Sequence, residues 1–115
     1  KLRAEARERD SQLARGQYMG WMHGFPQAIK DTSAAVGFPF TAGSPIQKDY
    51  FPKEDAVIAE RARRDGAIMI GKTNTPEFAL GSNTVNPLYG NTVNPFDLTK
   101  TVGGSSGGAG AALVA

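Results

Sequence analysis

The residues best suited to chemistry in this chain are two adjacent serines, Ser105 and Ser106, with a pair of glycines on each side in residues 103–108. Because glycine lacks a Cβ atom, the backbone around these serines can fold tightly and bring its N–H groups close to a bound group. Serines held in such a loop can act as nucleophiles or pass protons. The apolar, alanine-rich segment 109–115 follows directly, and it predicts a buried helix rather than a flexible Gly/Ser linker.

Serine chemistry needs a base, and two residues are candidates for it. His23, the only histidine, precedes the serines, whereas the histidine follows the serine in hydrolases with a G-x-S-x-G motif, so we interpret His23 as structural. Lys30 follows two apolar residues, so its amine is expected to be partly withdrawn from water, which disfavours the ammonium form. Alternatively, Lys30 pairs with the adjacent carboxylate of Asp31. The residues alone leave these two interpretations of Lys30 equally weighted.

One exact motif match is rejected on its context. Residues 66–73 satisfy the phosphate-binding pattern G-x-x-x-x-G-K-[ST], with Lys72 as the lysine. In a true phosphate-binding loop the four middle residues form the loop between a strand and a helix. Here residues 67–70 are apolar and predict a strand instead, so nucleotide binding is not expected.

The elements that must position the serines and Lys30 begin with a helix and a strand. Residues 1–15 combine charged residues with a thin apolar stripe, which predicts a surface helix closed by Gly16. Residues 27–31 predict a buried strand that runs into Lys30. The segment 32–50, rich in glycine and proline, predicts a loop.

A second helix and strand follow. Pro52 suits the first turn of a helix, acidic residues come after it, arginines lie near its end, and Gly66 suits the position after its C-cap. Residues 67–70 then predict a central strand covered on both faces. This alternation of helix and buried strand indicates an α/β fold.

A repeated pentapeptide lies between this strand and the Gly/Ser loop. Asn-Thr-Val-Asn-Pro occurs at 83–87 and again at 91–95. Asn-Pro pairs favour turns, so residues 73–104 are predicted to form a long, ordered connection that delivers the chain to the serines.

Composition excludes several classes of function. The net charge of +2 comes from 13 basic and 11 acidic residues that are largely interleaved, which argues against a nucleic-acid partner. The absence of cysteine and the single histidine argue against a zinc site, and a cytoplasmic location is expected. No apolar run approaches the length of a membrane span, so no membrane partner is expected. The chain lacks an initial methionine and stops within an apolar helical run, so we treat it as a segment of a larger domain.

An ordered set of segments resembles the amidase signature family, from about Ala14 to the last residue. Each segment alone is weakly specific, but the set, in this order and spacing, is highly specific. Its members are Gly-Phe-Pro-Gln-Ala-Ile-Lys-Asp at 24–31, Thr-Ala-Gly-Ser at 41–44, Gly-Lys-Thr-Asn at 71–74, Pro-Glu-Phe-Ala at 76–79, Asn-Pro at 94–95 and the double-serine run at 103–108.

The resemblance implies a mixed central sheet flanked by helices, of which residues 1–115 would be the N-terminal part of a single domain. It also implies a Ser-cisSer-Lys triad in which Lys30 is the base and Ser105, after a cis peptide bond, is the bridging serine. Ser106 would support the loop by hydrogen bonding, and Gly104 and Gly107 would support it through their backbone. No metal and no cofactor are implied.

The implied activity is the hydrolysis of a carboxylic amide to an acid and ammonia or an amine. The nucleophilic serine would lie beyond Ala115, so the segment alone is expected to be inactive. The expected partner is a small-molecule amide substrate, with a homodimer as an open alternative. Two other functions stay open: an A-type subunit of a transfer-RNA-dependent amidotransferase, and a non-catalytic scaffold. Thr75-Pro76-Glu77 resembles the general amidases more than the amidotransferase branch.

Overall fold

The computed structural model describes all residues, 1–115. The helices and strands follow in the order α1 (Leu2–Ala14), β1 (Pro26–Lys30), α2 (Val57–Arg64), β2 (Ile68–Thr73), β3 (Val85–Asn86), β4 (Gly90–Asn91), β5 (Val93–Asn94), β6 (Asp97–Thr101) and α3 (Gly107–Val114). Single turns of 3-10 helix at Pro45–Gln47 and Glu77–Ala79 interrupt the connections. None of the three α-helices could span a membrane.

The central pair of strands is parallel. β1 pairs with β2 so that Ile29 lies opposite Lys72 and Lys30 lies opposite Thr73, with a bulge next to Gln27 and Ala28. The remaining strands form two small antiparallel pairs, β3 with β4 and β5 with β6. A parallel pair connected through a helix is the α/β arrangement that the sequence predicts, and that prediction of fold class is confirmed.

The first helix and the end of the second agree with the sequence. α1 is a surface helix with no buried residue, and the chain leaves it through Gly16 at φ +73°. α2 ends in a Schellman motif, in which the N–H groups of Gly66 and Ala67 donate to the carbonyl oxygens of Arg63 and Ala62. Gly66 has φ +95°, and a Cβ atom there would lie 2.8 Å from His23 Cα. Glycine is therefore needed at Gly66 both for its conformation and for the close approach.

The predicted start of α2 at Pro52 is wrong, because the helix begins at Val57. Pro52 is buried in the preceding loop instead. The carboxylate of Asp55 accepts a hydrogen bond from Val36 N–H at 2.6 Å and pairs with Arg63 Nε at 2.9 Å. These contacts hold Asp55 in the loop that leads to the helix. Its carboxylate, which the sequence places in the first helical turn, connects that loop to the end of the helix instead.

The hydrophobic core is small and lies among β1, β2 and α2. Its buried side chains are those of Ile29, Ala35, Ala59, Ala62, Ala67 and Met69. Two predictions of burial are wrong: Ile70 in β2 is 48% exposed, and Leu113 in α3 is 85% exposed. α3 contacts β1 and β2, and Ala109, Ala112 and Leu113 line a shallow cleft between the helix and these strands. Gly107 is the only residue of the helix that is buried.

Candidate active site

Lys30 is the last residue of β1, and its half-buried side chain reaches the double-serine loop. Its Nζ lies 2.7 Å from Ser105 Oγ and 3.0 Å from Ser106 Oγ. Lys30 and Ser105 are 75 residues apart in the chain, so the fold alone brings them together. The two groups that the resemblance pairs with each other are therefore in hydrogen-bond contact.

Asp31 does not pair with Lys30, so that alternative is wrong. The carboxylate of Asp31 is buried and lies 2.9 Å from Lys72 Nζ, and it also accepts hydrogen bonds from the N–H and hydroxyl of Thr41. No salt bridge within 4.0 Å reaches Lys30. Because Lys72 lies opposite Ile29 in the parallel pair, it projects from the other face than Lys30. The only carboxylate adjacent to Lys30 in sequence is therefore committed elsewhere.

Lys72 holds the loop that follows β1. Its Nζ donates to the carbonyl oxygens of Ser33 at 2.8 Å and Pro39 at 3.3 Å, and it lies 5.4 Å from the centre of the Phe40 ring. Residues 68–73 form a strand, so the stretch that matches the phosphate-binding pattern is not a loop at all. This geometry agrees with the prediction that residues 66–73 do not bind a nucleotide.

The double-serine loop has the backbone that the family resemblance implies. The Gly104–Ser105 peptide bond is cis, and Gly103 has φ +81°. A Cβ atom on Gly104 would lie 2.9 Å from Thr84 Oγ1, and one on Gly107 would collide with the same Thr84 side chain. Both glycines therefore support the loop by allowing it to pack closely against Thr84.

The hydrogen bonds of Ser106 differ from those that the resemblance implies. It occupies the position before α3, but its side chain makes no capping hydrogen bond to that helix. Its hydroxyl accepts a hydrogen bond from Lys30 Nζ instead. Ser106 thus contacts the amine directly rather than supporting the loop from within.

His23 is a structural residue, as the sequence indicates. Its Nε2 lies 2.8 Å from the carbonyl oxygen of Arg9 and its Nδ1 accepts from Met19 N–H at 3.2 Å, so one neutral tautomer satisfies both contacts. The ring also stacks on Tyr18. These contacts tie α1 to the loop before β1. No group of three metal-ligating side chains lies anywhere in the chain.

Two of the segments that carry the resemblance contact each other. Ser44 Oγ donates to Glu77 Oε1 at 2.6 Å, and Phe78 N–H donates to the carbonyl oxygen of Ala42 at 2.7 Å. Both are long-range contacts between loops, which fix the connection that leaves β2 against the loop that leaves β1. The sequence indicates each segment separately but not their pairing.

Three residues that hold the connection beside the site have no role predicted from the sequence. Asn74, after β2, donates through Nδ2 to Thr92 Oγ1 at 2.9 Å, and its Oδ1 accepts from Asn86 Nδ2 at 2.6 Å. Asn86 also accepts from the N–H groups that follow it, which closes the turn after the first pentapeptide copy. Thr84 contacts the double-serine loop itself. Asn74 belongs to the segment 71–74 that carries the resemblance, whereas the repeated pentapeptide is the only signal for Thr84 and Asn86, and it predicts turns rather than contacts.

Comparison with known proteins places these features in a family. The model of the family described as Amidase matches residues 1–115. The glutamyl-tRNA(Gln) amidotransferase A-type subunit of Alkaliphilus metalliredigens (strain QYMF) is 48% identical over 111 residues, which is 96% of this chain and 23% of that protein.

Two solved structures show the same similarity. A crystal structure of an amidase superposes with a TM-score of 0.86 at 38% identity and covers 97% of this chain and 26% of its own. Native peptide amidase from Stenotrophomonas maltophilia gives a TM-score of 0.87 at 33% identity, over 96% of this chain and 24% of its own. The chain thus spans about a quarter of the length of these relatives.

Proposed function

Because this chain belongs to the amidase signature family, we propose that it supplies the base and the proton relay of an enzyme that hydrolyses carboxylic amides. The observation that carries the proposal is the 2.7 Å separation of Lys30 Nζ and Ser105 Oγ. An amine and a hydroxyl at this distance can each donate or accept, so a proton can pass between them.

In this proposal Lys30, in its neutral form, takes the proton of Ser105 while Ser105 takes the proton of an attacking serine. The attacking oxygen bonds to the amide carbonyl carbon, the C–N bond breaks, and the relay returns the proton to the leaving amine. Water then hydrolyses the resulting ester and restores the serine. The attacking serine and the groups that stabilise the oxyanion come from outside residues 1–115, and the substrate is a small-molecule amide.

The absence of a salt bridge to Lys30 supports this assignment. A carboxylate on the amine would hold the ammonium form and remove the acceptor that the relay needs. Lys30 instead contacts two hydroxyl groups, while Asp31 is held by Lys72. These contacts support the assignment of Lys30 as the base.

The test removes each member of the relay in the full-length protein. Lys30→Ala and Ser105→Ala are each expected to lower kcat for ammonia release from simple primary amides by about a hundredfold or more. Lys48→Ala is the matched control, because that lysine side chain is 61% exposed and its ion pair is with the exposed Asp49. Activity within tenfold of wild type in both site variants would contradict the triad and favour the non-catalytic scaffold.

A second candidate is an A-type subunit of a transfer-RNA-dependent amidotransferase, which the 48% identity to such a subunit favours. Under it, the same relay releases ammonia from an amide for use by partner subunits. The full-length protein purified alone separates the two candidates. Turnover of simple amides without any partner supports a general amidase, whereas activity that depends on further subunits supports the amidotransferase. A homodimer and a cytoplasmic location stay predictions.

A further inference from the structure

We infer that Thr84 is a positioning residue for the Lys30–Ser105 pair, an inference that rests on the proposed amide hydrolysis. Thr84 is completely buried between the connection and the double-serine loop. It makes no hydrogen bond to Lys30 or to a hydroxyl of the two serines. Its contacts are with the backbone on both sides of the serines, so its effect on the reaction passes through the position of the loop.

The hydroxyl of Thr84 joins the two ends of the loop. Its Oγ1 donates to the carbonyl oxygen of Gly103 at 2.8 Å and accepts from the N–H of Gly107 at 2.9 Å. Ser105 and Ser106 lie between these two glycines in the chain. A hydroxyl has one hydrogen to donate, so both directions of hydrogen bonding by Thr84 are used on this loop.

The backbone of Thr84 fixes it in place. Its N–H donates to the same carbonyl oxygen of Gly103 at 3.0 Å, and its own carbonyl oxygen accepts from Thr92 N–H at 2.9 Å. Thr92 is the corresponding threonine of the second pentapeptide copy and is held in turn by Asn74 at the end of β2. Thr84 therefore connects the loop to the strand that lies beside Lys30.

Thr84 also satisfies a backbone group at the start of α3. Gly107 is the first residue of α3, so its N–H has no partner within the helix. A serine before a helix usually accepts a hydrogen bond from the first turn, but the hydroxyl of Ser106 faces Lys30. Thr84 accepts from Gly107 N–H. The Ser106 hydroxyl caps no N–H of the first turn and contacts the amine of Lys30 instead.

The experiment removes and restores the hydroxyl in the full-length protein. Thr84→Val keeps the shape of the side chain without the hydroxyl, and it is expected to lower kcat by about ten- to a hundredfold with KM within about threefold of wild type. Thr84→Ser restores the hydroxyl and is expected to recover kcat to within about threefold.

The chain offers a matched control. Thr75 is also completely buried, but its hydroxyl has no hydrogen-bond partner, so Thr75→Val removes a buried hydroxyl that holds nothing. We expect kcat for Thr75→Val within about twofold of wild type, because no contact to the loop is lost. If Thr84→Val does not fold, Thr84→Cys, a weak donor of similar size, replaces it and is expected to lie between Val and Ser in kcat.

The experiment distinguishes a failure of the positioning role of Thr84 from a failure of the proposed function. A kcat for Thr84→Val, or for Thr84→Cys in its place, within twofold of wild type while Lys30→Ala and Ser105→Ala are inactive would overturn the positioning role alone. Activity that persists in Lys30→Ala and Ser105→Ala would overturn the proposed function on which it rests. A loss in Thr84→Val that Thr84→Ser does not reverse would also contradict the inference, since the hydroxyl would then not be the operative group.

Discussion

Lys30 and Lys72 lie at the ends of neighbouring parallel strands, yet they are held in opposite ways. The Lys72 side chain is 10% exposed, and its amine contacts the carboxylate of Asp31, two carbonyl oxygens and an aromatic ring. The amine of Lys30 contacts only the hydroxyls of Ser105 and Ser106. One amine is surrounded by fixed acceptors and the other by groups that both donate and accept.

This difference separates a structural lysine from a candidate base. A buried ammonium needs a carboxylate partner, and Asp31 is that partner for Lys72. The same pairing removes the only carboxylate that is adjacent to Lys30 in the chain. Lys72 therefore holds Asp31 in a buried ion pair on the face of the strands opposite to Lys30.

The largest expected effect on stability comes from removing Lys72. In the full-length protein, Lys72→Met leaves the buried carboxylate of Asp31 without a cation and is expected to lower the free energy of unfolding by about 3–5 kcal/mol. Lys30→Met removes hydrogen bonds to two hydroxyls and is expected to cost less than about 1.5 kcal/mol. Urea unfolding followed by circular dichroism measures both.

A charge-neutral double variant sharpens that contrast. Asp31→Asn combined with Lys72→Met leaves no unpaired buried charge, so it should recover part of the stability lost in Lys72→Met alone. Lys48→Met serves as the exposed control. Equal destabilisation by Lys30→Met and Lys72→Met would show that the two lysines are not held differently.

A smaller effect is expected within the contacts of Lys30. Ser106→Ala removes one of the two hydroxyls on the amine but leaves the proposed relay through Ser105. We therefore expect kcat to fall by only about three- to tenfold, which corresponds to the loss of one hydrogen bond. Steady-state kinetics of the full-length protein measure it, with the exposed Ser82→Ala as control. If Ser106→Ala lowered kcat as much as Ser105→Ala does, Ser106 would be no less important for the reaction than Ser105.

The smallest effect is expected at an exposed pair, Lys100 with Asp97. The hydroxyl and N–H of Thr99 donate to Asp97 and hold the pKa of its carboxyl below the usual value, with a lesser contribution from Lys100. A lowered pKa in the folded state means that this contribution to stability is present above the unfolded pKa and is lost as pH falls through the folded pKa.

The carboxyl chemical shift of Asp97 in an NMR titration reports this directly. Thr99→Val should raise the pKa of Asp97 toward its ordinary value, and Lys100→Met should raise it less, because Thr99 is the larger cause. Neither change should alter the proposed amide hydrolysis, since both residues lie on the exposed strand β6. A larger response to Lys100→Met would mean that the ion pair, rather than the turn, controls Asp97.

Local signals in the sequence were reliable where the structure depends on local chemistry. The surface helix that Gly16 ends, the Schellman motif at Gly66 and the strand that runs into Lys30 all follow from residue type and spacing. The proximity of Lys30 and Ser105 was predicted only from the resemblance to a family, because no local sequence pattern indicates a contact between residues that are 75 positions apart.

Other features depend on tertiary contacts that leave no local pattern. Asp55 resembles a residue of a first helical turn, but its contacts with Val36 and Arg63 hold it in the loop. Thr84 and Thr92 occupy identical positions in the two pentapeptides, and only Thr84 bonds to the double-serine loop. The partner of Asp31 likewise depends on how β1 and β2 align, and the alignment of two strands cannot be predicted from which residues are adjacent in the sequence.

The bulge in the parallel pair has a consequence for the two lysines. Gln27 aligns with Met69, but Ala28 aligns with Gly71, so Ile70 is an extra residue in β2. With uninterrupted alignment, Lys30 would lie beside Lys72 on one face, two like charges about 5 Å apart. Because of this one added residue, every later side chain of β2 projects from the opposite face of the strand pair. The amines of Lys30 and Lys72 are separated for this reason.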